Sequence, residues 1–269
     1  MKHISIHNLK LLQFESFPSD SLSHFTTTTE GGVSEGNYSS FNLGLYSGDS
    51  KENVSENRDR LTNALGISPR NFFVPYQTHD DKVCIIDQDF LSMTDEDKSL
   101  SLNGIDALIT DQKEIGIGIT TADCVPLLIY DPIKKVLAAI HAGWKGTAAR
   151  IGYKTAQKMI DHFGCNPSDL LVGIGASISP ECFEVGDEVG KAFTDAGFEL
   201  SEISYRNTKT GKLHINLWEA NRLPLIDLGI LPQNIEVSQI CTYSNSDLLF
   251  SARRQTIHSG RMITGGVIR

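Results

Sequence analysis

Two short apolar segments joined by a turn constrain the fold of this chain most strongly. Val125 to Tyr130 (VPLLIY) and Val136 to His141 (VLAAIH) flank a turn at Asp131-Pro132. Short apolar runs bounded by turn residues predict β-strands. A helix is predicted directly afterwards, from about Thr147 to Phe163. The chain therefore combines strands and helices within a short stretch.

The same alternation of strands and helices continues along the chain. Helices are predicted at 51–65 (ended by Gly66), 185–198 and 217–228, and strands at 105–110, 115–121, 170–178 and 235–243, with two short β-rich runs within 71–87. Gly116 and Gly118 alternate with isoleucines in one strand, which indicates a face closely packed by backbone or ligand. The predicted fold class is α/β or α+β with mixed β-sheets, in a single domain over residues 1–269.

The segment from Thr26 to Asp49 differs from its surroundings. It is rich in Gly, Ser, Thr and Asn, which predicts a series of turns with a short strand or two. A long irregular segment within a compact domain is either disordered or functional. Because Tyr38, Phe41 and Leu43 lie within it, we expect an ordered loop that packs on the domain.

Charge and cysteine usage exclude several classes of function. Lys and Arg number 24 against 33 Asp and Glu, with no basic stripe, so a nucleic-acid partner is not expected. No run reaches the ~20 apolar residues of a membrane span, and the N-terminal segment lacks the pattern of a signal peptide. The five cysteines are widely spaced without a C-x-x-C pair, which favours a reduced, cytoplasmic protein and excludes a structural zinc knuckle.

Three metal-ligand side chains follow or end predicted strands. His79 lies in Gln77-Thr78-His79, Cys124 follows the strand at 115–121, and His141 ends the strand that begins at Val136. Two imidazoles and a thiolate suit zinc and leave a fourth coordination position open for catalysis. From spacing alone, two other interpretations stay open: buried structural side chains, or a Cys124–His141 pair for hydrolysis without a metal.

Several motifs together resemble the laccase-domain family, whose members were once called multicopper polyphenol oxidases and are now regarded as purine nucleoside phosphorylases. The resemblance covers nearly the whole chain. It rests on these segments: GGVS at 31–34, FNLG at 41–44, GD at 48–49, QTH at 77–79, TADCVP at 121–126, HAGWKG at 141–146, GIG at 173–175 and FSARR at 250–254.

The resemblance implies a site, a fold and an activity. His79, Cys124 and His141 would be zinc ligands, and the fold would be one domain with layered α/β/β/α architecture. The activity would be phosphorolysis of adenosine, inosine or S-methyl-5′-thioadenosine, accompanied by adenosine deaminase activity. One departure is Thr29, where the family commonly has an arginine before the first glycine pair. If that arginine contacts an anion, Thr29 cannot replace it.

Phosphorolysis needs positive charge or backbone N–H donors for phosphate, together with a pocket for a purine nucleoside. The predicted contacts are Arg58, Lys145 and Arg253, and Asn42 is expected to hydrogen-bond the substrate. Arg254 and Arg261 are further basic candidates. Each of these residues also has a purely structural interpretation, as a solvated or ion-paired base or as a turn former.

The residues leave three alternatives to phosphorolysis open. A laccase-type copper cluster typically uses His-x-His pairs, and none of the eight histidines forms one, although a single Cu²⁺ could replace Zn²⁺ at the same ligands. The zinc-deaminase signature is absent, so Asp123 is the candidate proton carrier for deamination, with a structural hydrogen bond as the other interpretation. A non-catalytic binding protein is the third alternative.

Overall fold

The computed structural model describes residues 1–269. Its strands are β1 Lys2–Ile6, β2 Leu9–Gln13, β3 Leu22–Thr27, β4 Phe72–Phe73, β5 Val83–Ile85, β6 Ala107–Thr110, β7 Gly116–Thr121, β8 Val125–Asp131, β9 Val136–Ala142, β10 Leu171–Ile174, β11 Glu184–Val185, β12 Ser204–Arg206, β13 Leu213–Ile215, β14 Ile235–Val237 and β15 Met262–Ile268. Its helices are α1 Lys51–Leu65, α2 Gln88–Ser92, α3 Asp95–Ser101, α4 Trp144–Ala148, α5 Ile151–Phe163, α6 Asp187–Asp195, α7 Leu200–Ile203, α8 Leu217–Asp227 and α9 Ala252–Gln255. None of these helices has the length and hydropathy needed to cross a bilayer.

The strands form two large mixed sheets and one small sheet. The first has the order β1-β2-β3-β15-β7-β4, and the second has the order β14-β10-β8-β9-β6-β5. Neighbouring strands are antiparallel except for β4 with β7, β5 with β6 and β10 with β14. The third sheet, β11-β13-β12, is antiparallel. The fold class predicted from the sequence, mixed α and β with mixed sheets, is confirmed.

Three apolar clusters separate the layers. Alternate residues of β8 and β9 point in opposite directions, because successive side chains of a strand lie on opposite faces. Leu128 and Ala139 pack against the first sheet. Leu127 and Ile140 pack against α5, α6 and α8. On the far side, α1 covers the first sheet through Leu61, within a cluster that includes residues of β2, β3 and β15. The order helix, sheet, sheet, helix is therefore the predicted layering.

Helix α1 shows how local sequence sets an element. The Ser50 hydroxyl accepts a hydrogen bond from the Asn53 N–H, and Gly66 ends the helix with a left-handed φ of 68°. Val54, Leu61 and Leu65 face the core, as the spacing predicts. This element matches its sequence-based prediction.

Several predicted boundaries were wrong. The helix expected over 147–163 is two helices, because Arg150 takes a left-handed φ of 60° between α4 and α5. Helix α6 and strands β10 and β14 are shorter than predicted, and Pro224 lies within α8 without ending it. Strands β1, β2, β3, β11, β12, β13 and β15 and the short helices α2, α3, α7 and α9 were not predicted.

The glycine pattern of β7 has a side-chain cause. A Cβ at Gly116 would lie 2.4 Å from a ring atom of Phe72 on the neighbouring strand β4, and one at Gly118 would lie 3.1 Å from the same ring. The close packing of this face is confirmed, and the nearest groups are side chains: the Phe72 ring at Gly116, and Ile263 at 2.7 Å from the added Cβ at Gly118. The segment 28–49 is ordered without strands of its own, and Phe41 and Leu43 are buried against α1.

Candidate metal centre

Asp106 organises the two turns that carry histidines. His141 lies in β9 next to β6, and its Nδ1 is 2.7 Å from Oδ1 of Asp106. The same carboxylate accepts the backbone N–H groups of Thr78, His79 and Asp80, at 3.1, 3.0 and 2.9 Å. These bonds fix the turn in which His79 takes a left-handed φ of 62°. One buried carboxylate therefore holds both the ring of His141 and the backbone turn that carries His79.

Asp123 shapes the turn that presents Cys124. Its backbone is left-handed, with a φ of 88°, which is uncommon for a residue with a side chain. Oδ1 accepts a hydrogen bond from the Thr242 hydroxyl at 2.5 Å, and Oδ2 accepts the Arg253 N–H at 2.6 Å. Both oxygens of Asp123 are thus engaged within the protein, which is the arrangement of a structural hydrogen bond.

The three predicted ligands come together. One ligand atom each from His79, Cys124 and His141 lies within 4.8 Å of the other two. The two imidazole rings are 4.7 Å apart between centroids and nearly perpendicular. Gly143 lies against this His-Cys-His cluster, since a Cβ there would be 2.9 Å from His79 Cδ2 and 3.2 Å from Cys124 Sγ. Glycine is therefore the residue that leaves room for these side chains.

The donor chemistry fits a metal ion. Asp106 binds Nδ1 of His141, which leaves Nε2 as the ligand atom, and a carboxylate behind a histidine is a recurrent feature of metal sites. Burial by itself raises the pKa of the Cys124 thiol, but the charge of His141 and hydrogen bonds from both histidines outweigh it, so that the pKa is lowered. A lowered thiol pKa favours the thiolate, which is the form that binds metals.

His141 is coupled to the same thiol. Burial alone lowers the pKa of His141, whereas the charge of Cys124 and the hydrogen bond with Asp106 raise it above its ordinary value. Asp106, His141 and Cys124 thus form a series of a carboxylate, an imidazole and a thiol. The cluster offers three ligand atoms to a cation, and its Cys124–His141 part also has the composition of a cysteine nucleophile with its base.

The cluster lies in a cavity of about 610 Å³, hereafter the central cavity. Its polar lining includes three arginines and one acidic residue. The lining residues are Gly44, Leu45, Tyr46, Ser47, Arg58, Val74, Pro75, Tyr76, Gln77, His79, Thr120, Thr121, Ala122, Asp123, Cys124, His141, Ile178, Phe183, Ala252, Arg253, Ile257 and Arg261. Small-molecule sites occupy roughly 300–1,000 Å³, so this cavity is of the size that holds a metabolite.

Of the four predicted substrate and phosphate contacts, two line the central cavity and two do not. Arg58 and Arg253 line the central cavity. Lys145 is exposed outside the cavity lining, with its Nζ 5.7 Å from the centre of the Trp144 ring. Asn42 is fully buried, and its side chain bonds to Ser47 and other protein groups.

Asn42 instead organises a wall of the cavity. Its Oδ1 accepts the backbone N–H groups of Gly44 and Arg261, at 3.0 and 2.8 Å. Thr29, where the family commonly has an arginine, also lies outside the cavity lining and donates to the Asp247 carbonyl. The departure at this position therefore removes no side chain from the lining of this cavity.

Sequence reasoning did not single out Asp106, although this residue holds the ring of His141 and the backbone turn that carries His79. The available signal was an acidic residue immediately before the apolar strand β6, at the same edge of the sheet as His141. Nor did it single out Tyr46 and Tyr76, whose rings meet edge to face at 4.6 Å in the cavity lining.

The fold and this site define a mixed α/β protein with a candidate metal centre in a polar cavity. A family described as multi-copper polyphenol oxidoreductase laccase matches residues 23–269. The chain belongs to this family.

Named relatives match most of the chain. A purine nucleoside phosphorylase of Bacteroides thetaiotaomicron is 45% identical over 260 residues, 96% of each chain. The adenosine deaminase RL5 from an unknown prokaryotic organism is 41% identical and covers 89% of this chain and 91% of its own. The crystal structure of YlmD from Geobacillus stearothermophilus superposes with a TM-score of 0.89 at 30% identity, covering 99% of this chain and 98% of that one.

Proposed function

We propose that this protein is a zinc-dependent purine nucleoside phosphorylase that also deaminates adenosine. It would convert adenosine, inosine or S-methyl-5′-thioadenosine and phosphate to the free base and the ribose 1-phosphate. The observation that carries the proposal is the convergence of His79, Cys124 and His141 on one wall of a cavity that also contains arginines. Relatives named for both activities support it.

His79, Cys124 and His141 would hold the ion, and zinc suits two imidazoles and a thiolate. A bound zinc would supply a Lewis acid that polarises a ligand placed beside it. Copper binds such ligands more tightly than zinc does, so the metal acquired in a cell depends on supply.

Different residues in and behind the cavity lining bind phosphate and position the ligand side chains. Arg58 and Arg253 supply positive charge for phosphate, and no acidic side chain other than Asp123 lines the cavity. Because both oxygens of Asp123 already accept hydrogen bonds, Asp123 positions the Cys124 turn and Arg253 rather than carrying a proton. Asp106 keeps Nε2 of His141 directed at the cluster.

The test is the reaction of purified protein with adenosine, with and without phosphate. We expect adenine and ribose 1-phosphate only when phosphate is present, because the sugar must be transferred to it, and a smaller release of inosine in both conditions. Inosine formation alone, unaffected by phosphate, would contradict phosphorolysis and favour a deaminase.

The metal is tested in the same preparation. Cys124→Ala should lose stoichiometric zinc and both activities, because it removes one of three ligands. Cys84→Ala is the matched control, since Cys84 lies in β5 outside the cluster and its loss should leave the zinc content unchanged. Zinc retained in full by Cys124→Ala would overturn the ligand assignment.

A second candidate is a metal-free cysteine hydrolase, favoured by the Asp106–His141–Cys124 series. His79 distinguishes the two functions, because a hydrolase of this kind needs no third ligand. Full activity in a strong chelator, retained by His79→Ala, would favour the hydrolase. Phenol oxidation by the copper-loaded protein without phosphorolysis would instead favour a polyphenol oxidase.

A further inference from the structure

Arg58 and Arg261 are held on either side of one loop residue in the wall of the central cavity. Nε of Arg58 donates to the Leu43 carbonyl at 3.0 Å, and the Leu43 N–H donates to the Arg261 carbonyl at 3.1 Å. Arg58 comes from α1 and Arg261 precedes β15, yet both line the cavity. Leu43 therefore contacts both arginines.

Neither guanidinium has an acidic partner. The arginine ion pairs of the structure involve Arg60, Arg206, Arg222 and Arg269 only. Burial lowers the pKa of Arg58 to about 10. Burial also lowers the pKa of Arg261, and the negative charge of Cys124 and Asp123 offsets only part of that effect.

An unpaired charge that is partly removed from water costs free energy. Such an arrangement is retained where a ligand of opposite charge completes it. A dianion with several acceptor oxygens would satisfy both groups at once.

The hydrogen-bonding donors that remain free match such a ligand. With Nε of Arg58 engaged by Leu43, both terminal nitrogens of Arg58 form no hydrogen bond within the protein. They form the planar fork that binds phosphate in a bidentate manner. The terminal nitrogens of Arg261 are anchored on the carbonyls of Ser259, Gly260 and Ile257, which leaves its Nε–H without an acceptor.

Arg253 differs from this pair. Its guanidinium donates to the Cys182 and Glu184 carbonyls and lies 5.6 Å from the centre of the Phe183 ring. These contacts engage one terminal nitrogen of Arg253 and hold it against the segment 182–184. Arg253 therefore also keeps free donors, but it has no hydrogen bond to Leu43, which contacts both Arg58 and Arg261.

We propose that Arg58 and Arg261 form the phosphate subsite, with Arg58 as the bidentate contact. This assignment rests on the proposed function, and it adds Arg261 to the phosphate contacts. Gly44 is required beside it, since a Cβ at Gly44 would lie 2.6 Å from Cγ of Arg261. The loop 42–47 then acts as the support that holds both arginines towards the ligand.

The test is a phosphate titration at fixed adenosine for wild type, Arg58→Gln and Arg261→Gln. We expect the KM for phosphate to rise by about 10- to 100-fold in each variant, the scale of one lost hydrogen bond between charged groups. In both variants the KM for phosphate should rise by a larger factor than the KM for adenosine. Arg60→Gln is the matched control, because Arg60 lies on the same helix, is exposed and pairs with Glu56.

A binding measurement accompanies the kinetics. Inorganic phosphate should raise the thermal unfolding midpoint of wild type and of Arg60→Gln, but not that of Arg58→Gln or Arg261→Gln. Gly44→Ala, which displaces Arg261 without removing a charge, should also lose the phosphate effect. An unchanged phosphate KM and an unchanged thermal response in both arginine variants would overturn the subsite.

The two proposals fail separately. If wild type releases no base in the presence of phosphate but is stabilised by phosphate through these arginines, the subsite stands and phosphorolysis fails. If wild type is phosphorolytic and the variants bind phosphate normally, phosphorolysis stands and the subsite is wrong.

Discussion

At the scale of single residues, Asp106 has the largest effect on the candidate metal centre. Its carboxylate is fully buried and accepts four hydrogen bonds, from the His141 ring and from the backbone of Thr78, His79 and Asp80. Burial by itself raises its pKa, but His141 and the backbone N–H groups outweigh this effect and lower it. The charged form is thus the one that the site requires.

We therefore expect Asp106→Asn to weaken metal binding by about 10- to 100-fold, the usual effect of losing a group that orients a ligand. Competition with a coloured chelator measures the affinity. Asp111→Asn, at an exposed turn, serves as the control and should bind the metal normally. Equal metal affinity in Asp106→Asn and wild type would show that Asp106 orients neither histidine.

Residue types alone singled out His79, Cys124 and His141 as candidates, because imidazole and thiolate groups are rare and chemically distinctive, and the resemblance to the laccase-domain family then favoured a metal site over structural side chains. They did not predict the roles of Asn42 and Lys145. An asparagine or a lysine in a motif offers the same groups whether it faces a cavity, a loop or water. The Asn42 side chain accepts the N–H groups of Gly44 and Arg261 and donates to the Ser47 hydroxyl. Arg261 is far away from Asn42 in the sequence.

At the scale of elements, α4 begins at the point where the cluster is most crowded. Gly143 is its N-cap, with an ordinary φ of −65°, so the requirement for glycine comes from space and not from backbone strain. The neighbouring side chains, His79 and Cys124, belong to two other turns. The N-cap glycine of α4 therefore packs directly against the candidate metal centre.

We expect Gly143→Ala to lower metal affinity by roughly tenfold or more, since the methyl group displaces His79 and Cys124 from their common position. Equilibrium dialysis against zinc measures this loss. Gly152→Ala is the matched control in α5, where the nearest atom to an added Cβ is 3.5 Å away.

The control variant should bind zinc normally and gain about 0.5–1 kcal/mol of unfolding free energy, because alanine restricts the unfolded chain. If Gly143→Ala also retained full metal affinity, the close packing seen at the cluster would not govern binding.

The elements that the sequence predicted well carry their own signals. Helix α1 has a capping serine, an apolar face and a terminal glycine, and β8 and β9 are continuous apolar runs. Strand β15 has no such signal, since MITGGVI contains two glycines that weaken a strand by themselves. It is a strand because it pairs with β3 on one side and β7 on the other.

At the scale of the whole molecule, the layer between the two large sheets contains a buried histidine. His24 in β3 lies beside Phe14 and Phe17, its Nε2 is 3.2 Å from the Phe14 carbonyl, and its Nδ1 has no partner. Burial lowers its pKa to about 4, despite an opposing effect of the backbone carbonyls. His24 is therefore neutral in the folded protein at ordinary pH.

This histidine makes the stability of the whole fold depend on pH. Between pH 6.5 and about 4 the unfolded chain binds a proton at this position and the folded chain does not, so acidification favours unfolding. The free energy of unfolding keeps its full value, as far as His24 is concerned, above pH 6.5. It falls as the pH approaches the folded pKa of His24, by at most about 3 kcal/mol.

His24→Gln keeps a donor for the Phe14 carbonyl but does not titrate. We expect the difference in unfolding free energy between wild type and His24→Gln to shift in favour of the variant as the pH falls from 7 to 4. Urea denaturation at several pH values measures it. Parallel pH curves for the two proteins would show that His24 does not titrate differently on unfolding.

The sequence by itself determined the class of the fold and indicated the candidate metal-binding side chains, because apolar periodicity, capping residues and rare side chains are local properties of the chain. Only the tertiary structure decided which polar residues face the cavity. Leu43 is hydrogen-bonded to Arg58 and to Arg261, and Arg261 lies more than two hundred residues further along the chain. The pairing of β15 with β7 is also non-local, and it places Arg261 near the Cys124 turn. Such contacts depend on how the layers pack, and no local sequence pattern specifies that packing.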